Sequence, residues 1–193
     1  EQNGVIVKFR RPVGYTLEVN NDYHQMILDL AKRTEEPEFQ RSWRRLYDLP
    51  YRDAASLPPG PILIVGAGTG NDVSAALRST DRQVDAVEID PSILGIGERL
   101  HFERPYQNPR ARRVVADARS HFQRTDRRYA LVVFGFLDSH TLLSSFSSLR
   151  LDNFVYTLES LRSVRELLLP GGEVYLTFAS DREWIHRRIV RLL

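Results

Sequence analysis

"ILIVGAGTGND", residues 62–72, decides the fold. Four branched apolar residues, Ile62 to Val65, read as a strand buried on both faces. Gly66, Gly68 and Gly70 follow at every second position, and a helical pattern over about 70–79 comes next. Glycines at a strand end let the backbone turn sharply and come close to a bound group. A dinucleotide loop spaces them G-x-G-x-x-G, and its third glycine falls on Asn71 here.

Downstream the same grammar repeats. "VDAVEID" (84–90) reads as a strand before a helix at about 91–101. "RRVVADA" (112–118) reads as a strand before a short helix, and "YALVVFGF" (129–136) as a strand before a long loop. A helix at about 156–169 is expected to end at "PGG" (170–172), with "EVYLTF" (173–178) as a further strand. Short apolar strands alternating with helices predict an α/β domain. Its sheet is mostly parallel and covered on both faces, and ligands bind at the carboxyl ends of the strands.

The spacing present, G-x-G-x-G, is the form typical of S-adenosyl nucleoside sites; the plain alternative is an ordinary tight strand–helix turn. Glu88 ends the second strand, where a carboxylate can accept both hydroxyls of a ribose. Asp117 ends the third, where it can accept from an adenine amino group. Three successive strand ends thus carry groups suited to one nucleoside. Each acid also has a structural alternative, a helix cap or an ion pair: Asp90 before Pro91 reads as a cap, and Asn71–Asp72 as the cap of the helix after the loop.

Upstream, "VIVKFR" and "GYTLEV" flank "RPV" and predict an N-terminal β-hairpin within residues 1–20. Residues 21–60 read as a helical segment and linker. One helix is expected over 22–33, capped by Asn21 or Asp22, and a shorter one over 37–47. "SLPPGP" (56–61) breaks the chain before the core, residues 61–193. All of this fits one globular domain.

Composition limits the classes. The 193 residues suffice for one real core, and 42% are apolar. With no Cys, disulfide frameworks and thiolate zinc sites are excluded, and no metal is expected. Of 27 basic side chains only Lys8 and Lys32 are lysines, yet the net charge is only +2. The arginine clusters at 10–11, 44–45, 110–113, 127–128 and 187–188 lie near acids or in loops, so they read as solvated faces, and no nucleic-acid partner is expected. No apolar run approaches the roughly 20 residues that span a bilayer, and no signal peptide is visible. A cytoplasmic location is expected. The chain begins at Glu1 rather than Met, which leaves open that it is the cytoplasmic piece of a longer membrane protein. "DREWIHRRIVRLL" (181–193) is basic and amphipathic, as in a helix packed on the sheet or one lying on a membrane surface. A homodimer is equally open.

These motifs resemble the spermidine synthase family, the polyamine aminopropyltransferases of the S-adenosylmethionine-dependent methyltransferase superfamily. The resemblance covers roughly residues 14–178. "ILIVGAGTG" is similar to the family's strand ending in GGGDG, "VEIDPSIL" to its ribose-binding segment, and "ADA" (116–118, with Ala118) to its adenine-binding GDG or GDA. "DYHQMILDL" (22–30) looks like its Y-H-E-M or Y-Q-E-M segment, although "SWRRLYDLPY" (42–51) lengthens the run to the glycine loop. The resemblance implies a methyltransferase-type, Rossmann-like sheet, with Gly66, Gly68, Thr69, Gly70, Glu88, Asp117 and Ala118 on the nucleoside. It also implies Tyr23 and His24 over the pocket.

The departures are as informative. The family's GGGDG carries an acid that, by the resemblance, pairs with the cationic chain of decarboxylated S-adenosylmethionine. Here that position is Thr69, which tolerates the carboxylate of ordinary S-adenosylmethionine. The family's fourth strand ends D-x-x-D-P, and its first Asp handles the proton of the attacking amine. That Asp falls on Gly135, the second on Asp138, and the Pro on Ser139. Asp138 or His140 is then the candidate base. "SHTLLSSFSSLRLDNFVYT" (139–157) reads as a lid, and with Arg150 between Asp138 and Asp152 it suits an acceptor less cationic than a polyamine. The favoured expectation is methyl transfer from S-adenosylmethionine to an unknown small acceptor. The alternatives are aminopropyl transfer from the decarboxylated donor and a non-catalytic nucleoside sensor. Replacing both Thr69 and Gly135 by Asp is expected to move donor preference toward the decarboxylated form.

Overall fold

In the computed structural model the described residues are 5–10, 14–19, 22–31, 37–135, 155–177, 187, 190 and 191. The apolar run opening the glycine motif is strand β4 (Ile62–Val65), and all four of its side chains are 0% exposed. Around it β5 (Val84–Glu88), β6 (Ala111–Val115), β7 (Tyr129–Phe134) and β8 (Leu168–Leu176) form one parallel sheet in the order β6-β5-β4-β7-β8. The winding reverses between β4 and β7, neighbours whose ends carry Gly66 and Gly135.

Period-two alternation sends the strands' side chains to opposite faces. Ile62, Ile64, Val84, Ala86, Leu131 and Val133 pack under helices α1 (Glu38–Asp48) and α2 (Asn71–Ser79). Leu63, Val65, Val87, Val132 and Phe134 pack with Phe122 of α4 (Ala118–Arg124) and Val164 of α5 (Leu158–Glu166). α3 (Pro91–Leu100) links β5 to β6, and its cap is the expected one: Asp90 accepts from the Ser92 N–H at 2.7 Å. Thr157 caps α5 in the same way.

The helix expected over 22–33 is not formed by its described residues, 22–31. Asp22–Leu28 are strand β3, the third strand of an antiparallel sheet with β1 (Val5–Arg10) and β2 (Gly14–Val19). Partners outside the segment decide this. β2 takes one edge of it, and its Ile27 joins Leu17, Ile93 and Ile96 in a small core between this sheet and α3. Helix propensity, a few tenths of a kcal/mol per residue, is outweighed by such contacts. A second correction concerns "PGG". β8 already begins at Leu168, and Pro170 to Gly172 lie within it, where the pairing jumps from Tyr129↔Leu168 to Leu131↔Glu173. A side chain at Gly172 would meet the carbonyl oxygens of Leu169 and Tyr129 at 2.9 Å.

Several arginines, some of them from the clusters read as solvated faces, hold the frame. Arg82 donates to the carbonyls of Ala54, Leu57, Pro58 and Gly60, shaping the breaker before β4. Arg110 donates to the carbonyls of Leu77 and Thr80 at the end of α2. Arg112 and Arg127 both pair with the buried Asp85, and Arg113 pairs with Glu98. No helix among the described residues is long and apolar enough to cross a membrane.

Candidate functional site

Gly66, Gly68 and Gly70 all have positive φ (70°, 55° and 109°), a left-handed path that L side chains rarely follow. The loop is held from three sides. Tyr106, buried beneath it, donates its hydroxyl to the Gly68 carbonyl at 2.7 Å, and its ring and Pro105 fill the space a side chain at Gly70 would need. Glu88 accepts the Gly68 N–H at 2.9 Å on one oxygen and the N–H groups of Ile89 and Asp90 on the other. A carboxylate has about four lone-pair sites, so roughly one remains, on the oxygen facing the loop. Burial pushes the Glu88 carboxyl above its usual range, against the pull of those three donors.

The third support is Gln25 of β3. Its amide oxygen accepts both the N–H and the hydroxyl of Thr69 at 3.2 Å, and it lies 2.6 Å from where a Cβ on Gly68 would stand. Thr69 is 1% exposed, so its hydroxyl is spent on Gln25. Gly97 of α3 lies against the Thr69 carbonyl, 2.3 Å from its own would-be Cβ, so helix and loop touch backbone to backbone.

Asn71 does not cap α2. The N-cap is Gly70, with no side-chain hydrogen bond. The Asn71 amide instead accepts from the Leu28 N–H at 3.1 Å and donates to the Met26 carbonyl at 2.8 Å, standing in for a strand along β3. It also donates to the Tyr47 hydroxyl of α1 and faces His101 Nε2 at 3.2 Å. His101 Nδ1 accepts the Glu103 N–H, so the ring is neutral with its proton on Nε2. Burial, with a smaller push from Arg78, lowers it to about 3.

Asp72 does not cap the helix with its side chain either. The residue is 8% exposed, and burial raises its carboxyl to about 7. Its Oδ2 lies 2.8 Å from the position a Cβ on Gly135 would take. The expected Thr69→Asp, Gly135→Asp exchange therefore places two carboxyls in one space unless Asp72 is changed as well.

Asp117 accepts the Ser120 N–H at 2.9 Å through Oδ1, so it caps α4, which begins at Ala118, and keeps Oδ2 for other use. Tyr23 lies in β3 opposite Glu18, its side chain outside the described residues. His24 is the extra residue of a β-bulge: Gln25 pairs with Leu17 and Tyr23 with Glu18, which leaves it between them. Asp138, His140 and most of the expected lid lie outside the described residues, as does most of the C-terminal amphipathic stretch. The structure thus brings together Gly66 to Gly70, Thr69 and Glu88, with Asp117 on the adjoining strand end. Sequence reasoning missed Gln25, Tyr106 and the true role of Asn71. Gln25 stands inside "DYHQM", and a strand reading of that segment is the signal that finds it. Among the described residues no group of three or more His, Asp or Glu side chains is placed to hold a metal.

No family model matches the chain. A polyamine aminopropyltransferase of Vibrio vulnificus is 30% identical over 130 residues, 66% of this chain and 41% of that protein. Polyamine aminopropyltransferase 2 of Hyperthermus butylicus is 28% identical over 120 residues, 60% of this chain and 37% of that protein. The chain thus spans about two fifths of the length of these curated relatives. Among solved structures, spermidine synthase from Thermotoga maritima superposes with a TM-score of 0.67 at 14% identity, covering 97% of this chain and 60% of that one. Human methyltransferase-like protein 13, solved with SAH, gives 0.57 at 19% identity, covering 79% of this chain and 70% of that one. At such identities the structural likeness is one of fold, and the fold is that of the methyltransferase-type α/β proteins. In sequence the chain is similar to these polyamine aminopropyltransferases, and in fold to spermidine synthase.

Proposed function

We propose that the chain binds an S-adenosyl nucleoside at the carboxyl ends of β4, β5 and β6 and transfers a group from its sulfonium to a small acceptor. The observation that carries this is the glycine loop closed onto Glu88, with Asp117 on the next strand end. The residues fit the ligand. Three positive-φ glycines keep the loop free of side chains, Glu88 keeps an acceptor site for a ribose hydroxyl, and Asp117 Oδ2 is uncommitted. Ile89, 46% exposed beside Glu88, offers an apolar surface to a base.

Methyl transfer from S-adenosylmethionine is the favoured reaction. Where the family resemblance puts an acid for a cationic donor chain, there is Thr69, with the neutral Gln25 amide on it. Aminopropyl transfer is the second reading. The names of both curated relatives favour it, and so does the presence of a carboxyl, Asp72, beside Gly135. Calorimetry with S-adenosylmethionine and its decarboxylated form tests donor choice, and a product assay with each donor tests transfer. Binding of neither donor overturns the reading; binding without product favours a sensing role.

A further inference from the structure

The segment that lengthens the run from β3 to the glycine loop, "SWRRLYDLPY" (42–51), is held against that loop's far end. It supplies most of α1 and the single 3₁₀ turn that follows, Leu49–Tyr51. Three of its side chains reach α2. Tyr47 meets the Asn71 amide at 3.2 Å, Tyr51 donates to the Asp72 carbonyl at 3.4 Å, and Asp48 pairs with Arg78 at 2.5 Å. Tyr47 and Tyr51 are buried, and Trp43 lies beside Tyr47 on the same core. The grip thus falls on the first two residues of α2 and again on its last turn.

The Asn71 amide has no spare capacity. A backbone N–H only donates and a carbonyl only accepts, so Leu28 fixes the place of Oδ1 and Met26 that of Nδ2. The two lone pairs of Oδ1 are met by Leu28 and by His101 Nε2, and the two hydrogens of Nδ2 by Met26 and by the Tyr47 oxygen. Tyr47 is the acceptor that completes the set, and Asn71 adjoins Gly70, the last glycine of the loop. The sheet holds the near end of the loop through β4, and this amide holds the far end. Asp48 acts by a second route. Arg78 donates to Asp48 and to both oxygens of Glu103, which ties α1 and α2 to the chain that follows α3. Three residues past Glu103 stands Tyr106, whose hydroxyl donates to the Gly68 carbonyl at 2.7 Å. Both routes begin on α1 and end on the loop that closes onto Glu88.

We propose that residues 42–51 belong to the donor site without touching the donor: Tyr47, acting through Asn71, and Asp48, acting through Arg78, are positioning residues that keep the glycine loop in its binding form. This rests on the transferase reading above. A loop with three glycines has many conformers open to it. Every conformer other than the binding one weakens apparent affinity in proportion to its share of the chain. Tyr47 and Asp48 lower that share. Removing either frees one support of the loop and takes no contact from the nucleoside.

The test is calorimetry of methylthioadenosine binding to the whole chain, in buffer where urea unfolding shows each variant folded. Tyr47→Phe keeps the ring and removes the oxygen. It is expected to weaken binding roughly 3–10-fold, within the span by which residues outside a site tune its affinity. The ¹⁵N signals of the Gly68 and Thr69 amides are expected to shift in the same variant before any nucleoside is added. Leu46→Ala is the control: Leu46 neighbours Tyr47 in sequence but is 40% exposed, and its variant is expected to bind within about twofold of the parent. Should Tyr47→Phe not fold, Asp48→Asn is read in its place, with the same expectation through Tyr106. Unchanged affinity in the folded variant, even with a lowered urea midpoint, makes α1 a brace of the fold alone and overturns the proposal. An equal loss in Leu46→Ala overturns it too. Absence of methylthioadenosine binding by the unaltered chain overturns the transferase reading, and this proposal with it.

Discussion

Glu88 reaches across the sheet end to accept the N–H of Gly68 at 2.9 Å, so the carboxylate read as a ribose ligand is also a strut of the glycine loop. Removing it acts twice. Glu88→Ala is expected to weaken methylthioadenosine binding by roughly 1.5–3 kcal/mol, the range for a hydrogen bond to a charged group. Calorimetry measures it. Unchanged affinity would remove Glu88 from the site.

Two buried groups give the fold opposite responses to pH. His101, held at about 3, stays neutral where the unfolded chain takes up a proton, so stability falls as pH drops from about 6.5 toward 3 by up to about 1.4 kcal/mol per unit. Asp72, raised to about 7, keeps its proton where the unfolded chain has lost one, so its contribution falls as pH rises from about 4 to 7. Between about pH 4 and 6.5 the two slopes offset each other. Urea unfolding across pH is expected to show a flat region there, a decline below it, and above pH 7 a gain of about 1–3 kcal/mol in Asp72→Asn. A variant no more stable than the parent at pH 8 contradicts the account.

Gly135→Ala puts a methyl group 2.8 Å from Asp72 Oδ2, and a loss of about 1–3 kcal/mol is expected. Asp72→Ser shortens the opposing side chain. In the double variant the losses should not add, with a coupling of about 0.5–3 kcal/mol by thermal or urea unfolding. Strict additivity means that the two positions do not share the space described.

Gln25→Glu keeps an acceptor for Thr69 and adds a charge where the donor's tail is expected. Affinity for decarboxylated S-adenosylmethionine relative to S-adenosylmethionine is expected to rise roughly 5–30-fold, the effect of about 1–2 kcal/mol of charge interaction in a half-buried site. Competition calorimetry decides it, and an unchanged ratio detaches Gln25 from donor choice.

Much of the core was legible because its signals are local. Ile62 to Val65 can only be a buried strand, the glycines can only turn, and Asp90 before Pro91 announces its cap. What stayed hidden depends on residues far apart in the chain. "DYHQMIL" carries no local mark separating strand from helix; β2 and the Asn71 amide settle it. Asn71 and Asp72 have the composition of a helix cap, yet Gly70 already provides the turn; the Asn71 side chain goes to β3, and the Asp72 carboxyl lies toward Gly135, neither of which a spacing rule connects to them. Gly135 read as a lost acid, and only the folded chain shows another acid leaning into the space beside it.

The anchoring of β3 by Asn71, with Gln25 alongside on Thr69, turns the N-terminal sheet into a reporter of occupancy. The Leu28 amide is donated to the Asn71 side chain, so it cannot meet solvent until that joint opens, and the joint sits one residue beyond the loop. A nucleoside at 100 times its dissociation constant stabilises the bound state by about 2.7 kcal/mol. Where opening requires its release, deuterium uptake at Leu28 should slow roughly 100-fold, although the amide belongs to the strand and not to the site.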